Sequence, residues 1–195
     1  MGRVSNKVVI VTGAGSGIGK ACMELFAKEG AKVFGIGRTK SKVDAVAAEL
    51  RAQGAEAGSA AADLSDFAST QRAFAEAIGQ FGRVDILVNN AGVGYSWAEQ
   101  SPGSMNDTVT CEPEKWREVM AINLDSVFNM CKLAVPVMQK NGGGSIVNIA
   151  SIWGMLGAGD AHAYTASKGA IINYTRSLCV AYAKDNIRAN TLCPG

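Results

Sequence analysis

The chain has only one histidine, His162, in 195 residues, and this scarcity sets the first limit on its chemistry. With no second imidazole, and no Cys-x2-Cys pair nearby to replace it, a multi-histidine metal site is not expected. Excess charge is also scarce: 19 lysines and arginines against 17 acids leave a formal net charge of +2. No block of like charges offers an electrostatic footprint, so neither nucleic acid nor an anionic membrane is an expected partner. No apolar run reaches the length of a membrane span and no secretory h-region follows Met1, so the expected compartment is the cytoplasm. The five cysteines, Cys22, Cys111, Cys131, Cys179 and Cys193, are odd in number and widely spaced, which reads as reduced core thiols.

Hydrophobic residues, by contrast, make up 48% of the chain, ample for one substantial core, and no repeat, low-complexity tract or linker divides it. Apolar runs of strand length recur at Val8 to Val11, Lys32 to Ile36, Gly58 to Ala62, Ile86 to Val88, Ser145 to Ile149 and Ile187 to Leu192. Between them lie segments of helical spacing, such as Ile18, Cys22, Leu25 and Phe26, or Val43, Val46, Ala47 and Leu50. Strict alternation with short glycine-containing turns predicts right-handed βαβ crossovers: an α/β fold with a doubly wound, mostly parallel sheet of the Rossmann type. Ser41 and Asp44 read as a capping box before the second helix, and Pro113 suits the first turn of a long helix running toward Asn141. Pro136, inside that helix, predicts a kink or an early end. The longest irregular stretch, Val93 to Glu112, has the length of a functional surface loop.

After the first strand comes Thr12-Gly13-Ala14-Gly15-Ser16-Gly17-Ile18-Gly19, and the next residues are helical in pattern. Glycine lets a backbone turn sharply and approach a phosphate, while free N–H groups and the dipole at a helix start attract negative charge. A diphosphate is the natural guest. A Walker loop fails, because Ala14 stands where the first glycine is required and Ala21 follows Lys20; the GxGxxG fingerprint fails in every register. Thr-Gly-x3-Gly-x-Gly instead resembles the cofactor signature of the short-chain dehydrogenase/reductase family. The resemblance runs through the whole chain in order: Asn89-Asn90-Ala91-Gly92, Asn123, Ser151, Tyr164-x3-Lys168 and Pro194-Gly195.

Tyr164 and Lys168 are four residues apart in a helical stretch, so they share a face. A free tyrosine titrates near ~10, too high for an efficient base at neutral pH. An ammonium ~4 Å away favours a phenolate by at most about 4 kcal/mol at an effective dielectric of ~20, or up to about three pKa units. The resemblance makes Tyr164 the proton-transferring acid/base and gives Lys168 a second task, holding the nicotinamide ribose. It also implies that Ser151 hydrogen-bonds the substrate oxygen and that Asn123 positions a water in a proton relay. For cofactor contacts it implies Gly13, Ser16, Gly17, Ile18 and Gly19 in the turn and Asp63 and Leu64 beside the adenine. It further implies Asn90, Ala91 and Gly92 along the cleft, and Pro194 and Gly195 flanking the nicotinamide. Residues 1–195 would then form a single dinucleotide-binding domain that also carries the catalytic site. The implied reaction is hydride transfer between a nicotinamide cofactor and a small-molecule alcohol or ketone.

The region that would carry an acid for the ribose 2'-hydroxyl of NAD reads Gly37-Arg38-Thr39-Lys40, and Arg38 could neutralise a 2'-phosphate. Lys40 and Lys42, at a helix start, also favour a nearby anion. NADP(H) is the preferred cofactor; NAD(H) stays open, because Ser16 stands where the glycine motif of NADP enzymes has a basic residue. His162 reads as a loop residue near the pocket, and Trp153, Met155 and Leu156 as either pocket wall or core. A sugar epimerase or dehydratase with the same tyrosine, and a non-catalytic dinucleotide sensor, are the competing functions. Homo-oligomerisation, as a dimer or tetramer, is implied through the helices of Asn123 and Tyr164. Relatives continue past the final Pro-Gly, so the 195 residues are expected to be a fragment, a truncation or the ordered part of a longer protein, with an unpaired last strand and weak turnover.

Overall fold

Every residue of the first apolar run, Val8–Thr12 (β1), is buried, which requires cover on both faces of the strand. The computed structural model, which describes residues 2–195, supplies that cover. Five further strands, Lys32–Gly37 (β2), Ala57–Ala61 (β3), Ile86–Asn89 (β4), Gly144–Ile149 (β5) and Ile187–Leu192 (β6), join β1 in one sheet of order β3-β2-β1-β4-β5-β6. All pairings are parallel, for example Val9 with Val33 on one side and with Ile86 on the other. The order reverses about β1, which leaves a crevice at the carboxyl ends of β1 and β4.

The two-residue period of the strands sorts their side chains between two cores. Val9, Val11 and Val33 face Met23 of Gly17–Lys28 (α1) and Val43, Val46, Ala47 and Leu50 of Lys40–Ala52 (α2). Ile10, Phe34, Leu87 and Ile146 face the opposite layer. That layer is built from Phe67–Phe81 (α3), Ser126–Lys140 (α5) and His162–Tyr182 (α6), with Pro113–Met120 (α4) packed on α6 beside it. Gly82, left-handed at φ 74°, stops α3 where a side chain would be strained.

Two local expectations give way. α2 starts at Lys40 with Thr39 at its N-cap position, and Ser41 lies inside the first turn. Asp44 does not reach back to cap the helix, because Lys40 Nζ at 2.7 Å and Ser59 Oγ at 2.8 Å take its carboxylate. Of the two outcomes expected at Pro136, a kink or an early end, the early end does not occur, since the helix runs on to Lys140. The proline and Lys132, whose carbonyl loses its donor, are both exposed, so the lost bond falls on the solvent side of the helix. Upstream, a π turn at Ala121–Asp125 joins α4 to α5. Pro113 does stand in the first turn of α4. Of the five free thiols only Cys131 is buried; Cys22, Cys111, Cys179 and Cys193 are half-buried, so the core-thiol reading holds for one.

Candidate active site

Thr12 ties the ends of β1 and β4 together: its Oγ1 accepts the N–H groups of Asn90 and Ala91, both at 2.9 Å. Asn90 Nδ2 returns a bond to the Thr12 carbonyl at 3.0 Å. The glycine turn that follows has no room for a side chain at Gly13 or Gly19. Gly13 sits at φ +65° with Asn90 Nδ2 2.8 Å from where a Cβ would stand, and a Cβ on Gly19 would collide with the Gly13 carbonyl. The side chain of Ser16 caps nothing, so the first N–H groups of α1 face the crevice. A cavity of about 380 Å3 opens there, lined by Gly13, Ser16, Ile18, Arg38, Asp63, Leu64, Asn90, Ala91 and Gly92 among the residues the sequence marks for cofactor contact. Gly17 and Gly19 do not line it; they shape the turn behind it. A cradle of backbone N–H groups, crowded against any Cβ, with a cation at one wall, fits a phosphorylated dinucleotide.

Within this wall the contributions differ. Asp63 Oδ1 accepts from both the backbone and the hydroxyl of Ser65, at 3.0 and 2.6 Å. Leu64 points into the core, and its carbonyl is held by Asn129 Nδ2 at 2.9 Å. Arg38 stacks its guanidinium on the ring of Trp97, 4.6 Å from the centroid. Lys42 lines the cavity, whereas Lys40 is spent on Asp44 and drops out of the anion argument.

Tyr164, Lys168, Ser151, Pro194 and Gly195 lie outside the 380 Å3 cavity, beyond its Gly92 and Val93 end. A methyl group on Gly92 would stand 3.4 Å from Lys168 Nζ and 3.1 Å from Asn123 Oδ1; one on Gly94 would stand 3.6 Å from the Tyr164 ring. Lys168 Nζ lies 5.7 Å from the centre of that ring and donates to the Ile149 carbonyl at 2.9 Å. Only 6% of Lys168 is exposed, and this burial pulls its pKa down to about 8. Ser151, buried at the end of β5, accepts from Trp153 N at 3.2 Å, which leaves its hydroxyl proton uncommitted. Pro194 accepts from Ile152 N at 3.0 Å, so the final Pro-Gly runs beside the Ser151 segment.

Asn123, in the π turn, is fully buried and spends its amide on the protein. Its Oδ1 accepts from Val93 N at 2.7 Å, and its Nδ2 donates to the Val93 carbonyl and to Ser167 Oγ, both at 3.1 Å. Ser167 in turn donates to the Tyr164 carbonyl at 2.7 Å. The sequence reading passed over Ser167, although a hydroxyl three residues after Tyr164 on the inner helix face was a usable signal. It also passed over Tyr95, whose ring lies 6.2 Å from that of Tyr164 and whose hydroxyl donates to Asp160 at 2.7 Å. Ala161, left-handed at φ 51° and tied to the Met105 carbonyl, fixes where α6 begins.

His162 is the first residue of α6, not a loop residue, and shares a hydrogen bond with Thr108 Oγ1 at 2.7 Å, away from the 380 Å3 cavity. Met155 and Leu156 are 68% and 60% exposed, which removes their core reading; Trp153 is half-buried. Among the described residues no group of three or more histidine, cysteine or acidic side chains is arranged to hold a metal ion, and no helix is long and apolar enough to cross a membrane.

Comparison with known proteins accounts for this geometry. The family model described as short chain dehydrogenase matches residues 7–195. A 3beta-hydroxysteroid dehydrogenase of Mediterraneibacter gnavus is 38% identical over 194 residues, covering 100% of this chain and 67% of its own length. A meso-2,3-butanediol dehydrogenase of Serratia marcescens is 38% identical, covering 98% of this chain and 72% of its own. The crystal structure of an actinorhodin polyketide ketoreductase with NADPH superposes at a TM-score of 0.90 with 34% identity, over 100% of this chain and 72% of the other. A glycine cradle at the switch point of a parallel sheet, shared over this length with named dehydrogenases and reductases, places the chain in the short-chain dehydrogenase/reductase family, as an oxidoreductase that acts with a nicotinamide cofactor on alcohol and ketone groups.

Proposed function

We propose that residues 1–195 act as one domain that binds NADP(H) in preference to NAD(H) and oxidises a secondary alcohol, or reduces the matching ketone, with Tyr164 as the acid/base. The observation that carries this reading is the convergence of Tyr164, Lys168 and Asn123 on Gly92 and Gly94, at the end of the 380 Å3 cavity. The bound dinucleotide supplies the hydride acceptor or donor. Tyr164 takes the hydroxyl proton in oxidation and returns it in reduction, while the free proton of Ser151 holds the substrate oxygen. Lys168 has three N–H donors and gives one to Ile149, so two serve the ribose and the Tyr164 oxygen. Asn123 fixes the Val93 backbone and, through Ser167, the start of α6; the lone pair left on Oδ1 is its means of holding a relay water.

The preference for NADP(H) rests on Arg38 at the end of β2 and Lys42 in the first turn of α2, where no carboxylate lines the cavity within reach of a 2'-hydroxyl except Asp63 from the neighbouring strand end. The Serratia relative acts on a diol and the Mediterraneibacter relative on a hydroxysteroid, and both names point to carbinol chemistry. The domain works as a dimer or tetramer in the cytoplasm, with large exposed apolar side chains on the proposed helices, Trp116 on α4, Phe128 on α5 and Val180 on α6, supporting association. The test is a panel of secondary alcohols and ketones followed at 340 nm with each cofactor. Turnover with NADP(H) exceeding that with NAD(H) is expected; absence of turnover with either, in a protein that binds the nucleotide, would favour a sensor.

A further inference from the structure

Arg38 and Trp97 come from strands that are not neighbours. Arg38 follows β2 and Trp97 lies in the Tyr95–Glu99 turn after β4, while β1 runs between them. Adjacent strands are ~4.8 Å apart, so β2 and β4 lie about 10 Å apart across the carboxyl end of β1. The Arg38 guanidinium and the Trp97 ring, with 4.6 Å from the former to the ring centroid, therefore meet across the gap that β1 and its glycine turn fill. The anchor on the far side is firm. Trp97 Nε1 donates to Glu118 Oε1 at 2.9 Å, and Glu118 Oε2 accepts from Ser101 at 2.8 Å and from Lys115 at 3.2 Å. Trp97 also packs in the small apolar cluster that includes Val93 and Tyr164. Among the described residues the Arg38 guanidinium has no ion pair or hydrogen bond; stacking alone holds it.

We infer that Arg38 and Trp97 form a latch across the mouth of the dinucleotide cleft, which the nucleotide opens by drawing the guanidinium off the indole and onto its own adenosine end. Trp97 is thereby a determinant of cofactor affinity, acting through Arg38 without touching the chemistry. The inference rests on the reading of the 380 Å3 cavity as the dinucleotide site. An exposed cation–π contact is worth enough to change a dissociation constant about two- to fivefold, and a nucleotide entering the cleft must break it. The guanidinium presents one face to the ring and keeps its five N–H donors unengaged at its edge, so a phosphate in the cleft can recruit it from the stack.

Calorimetric titration with NADP+ and NAD+ separately tests the latch. Trp97→Leu is expected to bind both nucleotides about two- to fivefold more tightly than the unaltered protein. Trp97→Phe keeps an aromatic face, loses the bond to Glu118, and should stay close to the unaltered protein. Unchanged or weaker binding in Trp97→Leu would overturn the latch, and so would equal behaviour of the two variants, which would trace the effect to the Glu118 bond. In a Trp116→Phe/Trp153→Phe background Trp97 is the only indole left, and acrylamide quenching of its emission should rise at saturating NADP+ as the guanidinium leaves; quenching that does not change counts against the latch. The cavity reading is tested separately, by whether the unaltered protein binds either nucleotide at all, and the 2'-phosphate reading by its NADP+ to NAD+ ratio.

Discussion

Lys168 gives the sharpest test of the site's electrostatics, because its environment predicts a sign as well as a size. Burial lowers its pKa from 10.5 to about 8 in the folded chain. Below pH 8 both folded and unfolded chains hold the proton, and folding carries the full cost of burying the ammonium. Between pH 8 and 10.5 the unfolded chain binds more protons than the folded one, so stability rises with pH; above 10.5 the cost is gone. A shift of this size corresponds to about 3 kcal/mol. Replacing the residue as Lys168→Met removes the titration and leaves the Ile149 carbonyl without its donor, a pH-independent loss of about 1–3 kcal/mol. Cys131, pushed up to about 12 by burial, and Tyr174, also pushed up by burial, act in the opposite direction but occur in both proteins and cancel. Urea unfolding without nucleotide, followed by tryptophan emission at pH 7 and pH 11, should show the unaltered protein gaining about 3 kcal/mol on Lys168→Met. Parallel pH profiles for the two proteins would show that the buried nitrogen is solvated or paired, and the argument would fail.

Tyr164→Phe should abolish turnover while nucleotide affinity, measured by calorimetry, stays within a few-fold, since the ring against Gly94 is kept and only the transferable proton is lost. Arg38→Asp should move the ratio of kcat/KM for NADP(H) over NAD(H) toward NAD(H) by at least tenfold, through loss of a cation and gain of repulsion; an unchanged ratio would remove Arg38 from phosphate recognition. Asn123→Ala leaves Val93 N, the Val93 carbonyl and Ser167 Oγ without their partner, and should lower unfolding stability by about 3 kcal/mol in urea. Native-like stability there would mean that water replaces the amide.

The sheet was readable because its strands are buried on both faces. Val8 to Val11 and Ile86 to Val88 carry no polar interruption, and a run of that length between glycine turns admits few other structures. Local polar signals were less dependable, since a side chain with several nearby partners takes the strongest. Asp44 reads as a cap until Lys40 and Ser59 compete for it, and Ser59 belongs to β3, a neighbour that only the folded sheet supplies. Pro136 reads as a kink or an early end, and the helix runs past it because its position on the solvent face makes the missing hydrogen bond cheap.

The candidate site shows the same division more strongly. Tyr164, Lys168 and the glycine turn are marked in the sequence by residue type and spacing, and Ser151 by the family resemblance, but the residues that hold them are not, because their partners are distant in the chain. Tyr95 meets Asp160 across 65 positions and Asn123 meets Ser167 across 44. Burial is the other quantity that spacing cannot supply. From four-residue separation alone, Lys168 is a fixed positive charge acting on one phenol. With the nitrogen buried, bonded to Ile149 and pulled to about 8, its charge varies over the pH range in which such an enzyme is assayed. Lys168 also meets Tyr164 on a common face, 5.7 Å from the ring centre, so loss of the lysine proton changes the field at the tyrosine oxygen. On the roles proposed above, Lys168→Arg, with a charge that does not titrate in this range, should flatten the alkaline limb of the kcat/KM profile against pH; an unchanged limb would remove the Lys168 proton from turnover.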